Sequence, residues 1–389
     1  MPVINRIADF HDDMTAWRRD IHQHPETAFE EHRTSDTVAR RLEEFGIEVH
    51  RGLAGTGVVG ILRSGEGPSI GLRADMDALH LDELNEFDHK SVNDGRMHAC
   101  GHDGHTTMLL GAARYLAETG NFQGTVHFIF QPAEENEAGG RVMVEDGLFE
   151  KFPVEAVYGM HNWPGQSVGT IAVSEGPMMA AFDLFELTVT GRGAHGAMPH
   201  LGIDPVVVGA EIVGALQTIA SRVTDAQDAI VVTVTKFHGG DTWNVIPDQV
   251  VLGGTTRSFR PQVQDAIEPA IRRIAEGVAA AHGATAELRY ERRYPPTVNN
   301  AREAEIAANV AAEIVGETNV DHHPVPSMGS EDFSFMLQER PGCYVWLGNG
   351  PGKAGCMLHN PNYDFNDEIL PIGASYWVRL VENVLSQGA

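Results

Sequence analysis

The sequence predicts an α/β protein in which a mixed, mostly parallel sheet is interrupted by a smaller α+β unit. Three observations predict it. Short apolar runs alternate with helical stretches along the first part of the chain. A middle region instead reads strand, helix, strand, strand, helix, strand. The chain has 389 residues, about twice the usual length of one domain, so two cores are the prior.

Taken in order, apolar residues at three-to-four spacing, as in Ile4, Ile7, Phe10 and Met14, predict helices over 3–22 and 33–45. After Gly46 the runs 57–62, 69–73, 125–130 and 156–160 read as strands, with a helix over 106–117 between them. The middle region has strands at 182–190, 229–238, 249–258 and 285–291 and helices at 205–222 and 263–281. That is the order of a ferredoxin-like unit. Gly176-Pro177 and Pro295-Pro296 read as its joints. The sequence is therefore divided into 1–181 with 295–389, and an inserted 182–294. A strand over 343–347 and a closing helix over 374–385 return to the first pattern.

Composition narrows the function. A net charge of −26 argues against nucleic acid or anionic lipid as partner, because each needs a basic footprint. Asp9, Asp12 and Asp13 in an N-terminus without a long apolar run are no signal peptide. No stretch reads as long and apolar enough to cross a membrane. Three cysteines, an odd count in a long chain, suggest no disulfide framework, and a reducing cytoplasm fits best.

The chemistry gathers at strand ends. His98, Cys100, His102 and His105 crowd one loop just before a helix. Asp75 and Asp77 follow one strand, Glu134 and Glu135 a second, His161 a third, and His359 lies in a loop after 343–347. In a parallel sheet the carboxyl ends of the strands face one crevice, so these residues are expected to converge. Imidazole and carboxylate suit a pair of divalent ions such as Zn²⁺, Mn²⁺, Co²⁺ or Ni²⁺, and a thiolate can bridge two. Adjacent carboxylates in an irregular loop can divide the work, one holding metal and one free as general base. Singly, each residue has a plainer reading: a lone Cys before a helix is usually a small buried hydrophobe. The pairs Glu30-Glu31 and Glu43-Glu44 are read as solvated faces. Jointly, the placement points to a metal site.

Several segments carry a resemblance. MHACGHDGHTTMLLGAA (97–113), FQPAEE (130–135), GMHNWP (159–164), GAHGAMPH (193–200), MGSEDFSF (328–335) and LHNPNYDFND (358–367) resemble the amidohydrolase branch of the two-metal aminopeptidase/carboxypeptidase clan. RRDIHQHPE (18–26) and GLRADMDAL (71–79) match it too. The resemblance implies a zinc-aminopeptidase-like catalytic domain with an inserted lid and dimerisation domain, and hence a homodimer or homotetramer. It also implies Cys100, His102, Glu135, His161 and His359 as metal ligands, with Cys100 as the bridge and Glu134 as the general base. His98 and His105 are then not ligands. Asp77 would orient a ligand imidazole. His195 would hydrogen-bond the oxyanion, and Asn244 and Arg257 would contact the substrate carboxylate. In other branches a histidine ligand stands at about Asp75. His80, where the family usually has proline, is read as a surface side chain.

The expected reaction is hydrolysis of an N-acyl amino acid to a carboxylic acid and a free amino acid by metal-activated water. A metallo-dipeptidase or carboxypeptidase, a metal-dependent binding protein, and a Cys100 nucleophile are the alternatives.

Overall fold

The computed structural model describes residues 3–135, 137–352 and 355–386. Contacts divide the chain into two units. One holds residues 1–178, 298–325 and 332–389; the other holds 179–297 and 326–331.

The larger unit is built on an eight-stranded mixed sheet. Its order is Glu48–Leu53, Gly57–Ser64, Gly124–Gln131, Ser69–Asp75, Ala156–Pro164, Gly342–Gly350, Ile171–Ala172 and Val320–Asp321. The four strands from Gly124–Gln131 to Gly342–Gly350 run parallel; Gly57–Ser64 pairs antiparallel with the first of them, and Glu48–Leu53 pairs antiparallel with Gly57–Ser64. Central strands covered on both faces must be apolar along their length, as Leu72, Phe128, Tyr158 and Val345 are. The Glu48–Leu53 strand was not predicted; it is largely exposed, so no apolar pattern marks it.

Helices cover the sheet. The predicted helix over 3–22 is two helices, Asn5–Ala8 and His11–Gln23. The apolar spacing crosses the break because Ile7, Phe10 and Met14 all face the core on either side of it. The His102–Thr119 helix packs between His11–Gln23 and Leu370–Val384. Close approach depends on missing side chains: a Cβ on Gly111 would overlap Met14 Sδ, and one on Gly373 would overlap Met108 Sδ.

The inserted unit is an antiparallel sheet ordered Ile230–His238, Gln249–Ser258, Ala181–Thr190, Thr285–Tyr294. Alternation along Ala181–Thr190 turns Phe185, Leu187 and Val189 into a core shared with Val208, Ile212 and Ile271 of the helices Pro205–Leu216 and Pro261–Ala281. Asp204 caps the first of these by accepting from Val206 N–H at 2.9 Å, with Pro205 at the first helical position. Residues 326–331 join this unit through Ala180 N–H, which donates to Ser327 O and Gly329 O.

One sequence expectation fails here. Helix 205–223 is long and apolar enough to cross a membrane, with mean hydropathy 1.4. Its Val208, Ile212, Leu216 and Ile219 are buried in the core of the inserted unit, whereas Val206, Val207 and Val223 are exposed.

Candidate metal centre

The site forms where parallel strands end. Ser69–Asp75 delivers Asp75 and Asp77, Gly124–Gln131 runs into residues 132–135, and Ala156–Pro164 carries His161. Cys100 and His102 enter from the turn that starts the His102–Thr119 helix. Gly101 there has φ 96, and a Cβ on it would overlap Asn162 Oδ1.

Three groupings bring one ligand atom from each residue within 4.8 Å of the others. They are Cys100, His102 and His161; Cys100, Glu135 and His359; and His102, Glu134 and Glu135. A further grouping joins Asp75, His102 and His105, the last of which was expected not to be a ligand. Cys100 Sγ lies 3.3 Å from His161 Nε2, and His359 Nε2 lies 3.1 Å from Glu135 Oε1. Cys100, His102, His161 and Glu134 are buried, whereas His359 is about half exposed on a loop where its φ is 62. That loop is tied down by His359 N–H donating to Ala99 O at 2.8 Å.

The donor set fits divalent ions. His161 Nδ1 donates to Asn162 O at 2.6 Å, which leaves the Nε2 lone pair facing Cys100. Burial, with His105 adding to it, keeps this imidazole neutral. His102 Nδ1 lies 2.9 Å from Asp77 O and 3.1 Å from Asp77 Oδ1, while its buried Nε2 has no hydrogen-bond partner. Burial opposes a charge on His102, but Asp75, Asp77 and Glu135 raise it to about 10, so positive charge is favoured there. Burial and the carboxylates of Glu135 and Glu134 push the Cys100 thiol up, so a thiolate at this point calls for a cation beside it.

Buried charges support the ligand loops. Asp77 Oδ2 accepts Glu135 N–H at 2.9 Å, so one carboxylate serves both His102 and Glu135. Asp75 sits between Arg73, at 2.7 Å, and His105, at 2.6 Å. Against burial, His102, Arg73 and His105 hold its carboxyl well below the usual range. His105 in turn reaches Asn162 with Nε2, at 2.8 Å from Oδ1. Arg73 also pairs with Asp332 at 3.0 Å, and Asp332 N–H approaches Glu134 Oε1 at 3.4 Å.

A second buried cluster lies behind the loop. Arg18 pairs with Asp103, Asp364 and Asp367, and His22 lies 2.9 Å from Asp103 and 3.1 Å from Glu83. The sequence reading assigned these residues no role, although Arg18, His22 and Asp103 all stand inside segments it singled out. Glu31 is a correction. Read as half of a solvated pair, it is fully buried, because Thr56 and Ala133, distant in sequence, close over it. Glu43, Glu44 and His80 are exposed.

His195, Asn244 and Arg257 belong to the inserted unit. Ala194–His195 pairs with Val245–Ile246, which sets exposed His195 beside exposed Asn244. Ala197 N–H donates to His195 Nδ1 at 3.1 Å, so the ring proton sits on Nε2. Arg257 stacks over Phe182 at 4.1 Å and donates to Ser330 Oγ at 3.2 Å. Burial lowers its pKa.

The sequence pattern of peptidase family M20/M25/M40 matches residues 71–383. A hippurate hydrolase of Campylobacter jejuni is 40% identical over 98% of this chain and 98% of its own. An N-acetylcysteine deacetylase of Bacillus subtilis is 40% identical over 97% of this chain and 98% of its own. Among solved structures, the Bacillus subtilis YXEP protein, described as a dinuclear metal binding peptidase from the M20 family, has a TM-score of 0.86 at 37% identity. The match covers 97% of this chain and 99% of that one.

Proposed function

This chain belongs to peptidase family M20/M25/M40, and from that membership we propose that it hydrolyses the amide bond of N-acyl amino acids to a carboxylic acid and a free amino acid. The observation that carries the reading is Cys100 as the shared member of two ligand triads, with Glu134 beside them. The names of the two relatives, a hippurate hydrolase and an N-acetylcysteine deacetylase, support this substrate class.

In this reading Cys100, His102, Glu135, His161 and His359 would hold two divalent ions, Zn²⁺, Mn²⁺, Co²⁺ or Ni²⁺, with Cys100 the residue their two groupings share. Such ions polarise the scissile carbonyl and lower the pKa of water. Glu134 takes the proton from the attacking water and passes it to the leaving amine. His195, with its proton on Nε2, donates to the developing oxyanion. Asn244 and Arg257 bind the substrate carboxylate, for which a guanidinium offers paired donors. Asp77 fixes His102 with Nε2 toward the ion.

The inserted unit is proposed as a lid through which two or four copies assemble. Its edge strand Ile230–His238 and the exposed Val206 and Val207 support that role. Three unbridged cysteines support a cytoplasmic location.

The test is a screen of acetyl- and benzoyl-amino acids against unblocked dipeptides, with defined metals and with chelator. Turnover of the acylated compounds that chelator abolishes and metal restores is expected. Preference for dipeptides would favour a dipeptidase or carboxypeptidase, and chelator-resistant turnover would favour a Cys100 nucleophile.

A further inference from the structure

Glu31 is a buried charge whose side chain reaches beyond its own segment. It precedes the His32–Glu44 helix at the capping position, yet its side chain makes no capping bond there. Instead Oε1 accepts Phe29 N–H at 3.0 Å and Ala133 N–H at 2.9 Å, and Oε2 accepts the Thr56 hydroxyl at 2.6 Å. All three donors are neutral. Burial, opposed by the Thr56 bond and reinforced by Asp77, raises this carboxyl to about 7. A buried carboxylate with neutral donors alone is costly to keep, and a methionine or leucine would fill the space.

What it holds is the peptide leading into Glu134. Ala133 is buried with φ 56, a left-handed conformation that residues with a Cβ avoid. Its carbonyl accepts Gly139 N–H at 2.8 Å, and its N–H goes to Glu31. Two residues on, Glu135 N–H goes to Asp77. Two buried carboxylates from separate parts of the chain thus grip the amides on either side of Glu134.

We infer that Glu31 is a positioning residue for hydrolysis: by holding the Ala133 N–H it fixes the left-handed turn that aims Glu134 and Glu135 at different tasks. The inference rests on the reading of Glu134 as general base. Glu31 touches neither substrate nor metal and acts through the backbone. A glutamine can do most of this, since its oxygen still accepts from Ala133 and Phe29 while its amide donates to Thr56 Oγ1. A methionine of similar size cannot.

The experiment compares wild type, E31Q and E31M, each metal-loaded, by steady-state kinetics on an acyl amino acid, metal content and hydrogen exchange. In E31M kcat is expected to fall at least tenfold, with KM within threefold and two ions per chain retained. Peptides covering 131–135 exchange at least tenfold faster, while those of the His102–Thr119 helix keep wild-type protection. E31Q recovers most of both losses. Wild-type exchange at 131–135 in E31M, or kcat within threefold, overturns the inference. If E31M also loses protection in that helix, Thr56→Val decides. A kcat at least threefold lower with the helix protected supports the clamp, and wild-type kcat refutes it. If wild type hydrolyses no acyl amino acid, the hydrolase reading falls, and the exchange arm still decides whether Glu31 holds the loop.

Discussion

Asp77→Asn tests the support of the proposed metal centre with little change of shape. One Asp77 oxygen faces His102 Nδ1 at 3.1 Å, and the other accepts Glu135 N–H at 2.9 Å. Because Asp77 O also accepts from His102 Nδ1 at 2.9 Å, that nitrogen is a donor. An asparagine therefore faces two donors with one acceptor and one donor. Whichever way its amide turns, one contact becomes N–H against N–H in a buried site. Losing one hydrogen bond to a charged acceptor costs about 1.5–3 kcal/mol. If that falls on the metal-bound state, the dissociation constant rises roughly 10- to 150-fold, in the range expected for groups that orient ligand histidines. The assay is competition with a chelator of known affinity, alongside a melting curve of the metal-free protein. Affinity within threefold of wild type would show that Asp77 does not orient the ligands. A collapse of the metal-free melting temperature would show that it is needed for folding first.

Four further outcomes are expected. Glu134→Gln keeps two ions per chain but loses turnover by about 10²–10⁴-fold; near-normal turnover would remove Glu134 as base. Cys100→Ala retains fewer than two ions per chain after dialysis, read by elemental analysis; full occupancy would exclude a bridging thiolate. His22 is lowered by burial but carried to about 9 by its bonds to Asp103 and Glu83. Its contribution, on the order of 3 kcal/mol, is fully present below about pH 6.5 and is lost as pH rises through 9. Denaturant midpoints should fall over that window in wild type and not in His22→Phe; a flat wild-type profile would refute the pairing. Gly104→Ala puts a Cβ into the Phe365 ring, overpacking worth about 1–3 kcal/mol, and an unchanged melting temperature would contradict that contact.

Much of the fold was legible because burial follows local rules. The run 182–190 reads as a strand, and the sheet has one there over Ala181–Thr190, with Phe185, Leu187 and Val189 buried. The common direction of parallel strand ends also let Glu134, Glu135 and His161 be expected together, and the family resemblance separated Glu135 as ligand from Glu134 as base. Glu31 was misread for a different reason. Apart from the Phe29 amide, its partners Thr56 and Ala133 lie 25 and 102 residues away, so the local sequence does not mark its burial. Arg18 and Arg73 were hidden likewise: an arginine on a helix or strand looks solvated until the acids it meets are known. The break at residues 9–10 escaped because core-facing spacing does not require an unbroken helix.

The Arg18 cluster sets an order of events during synthesis. His102 and Asp103 leave the ribosome early, but His359, Asp364 and Asp367 follow 257, 261 and 264 residues after His102, Asp103 and Asp103 respectively, by subtraction. At roughly 5–20 residues per second, that wait is about 13–50 seconds. Over that time Arg18 has one of its three carboxylates, and the loop carrying His359 has not been made. The inserted unit is contiguous apart from a short loop, so its βαββαβ core can complete meanwhile. The Arg18 cluster and the loop that carries His359 are thereby completed only with the last tenth of the chain.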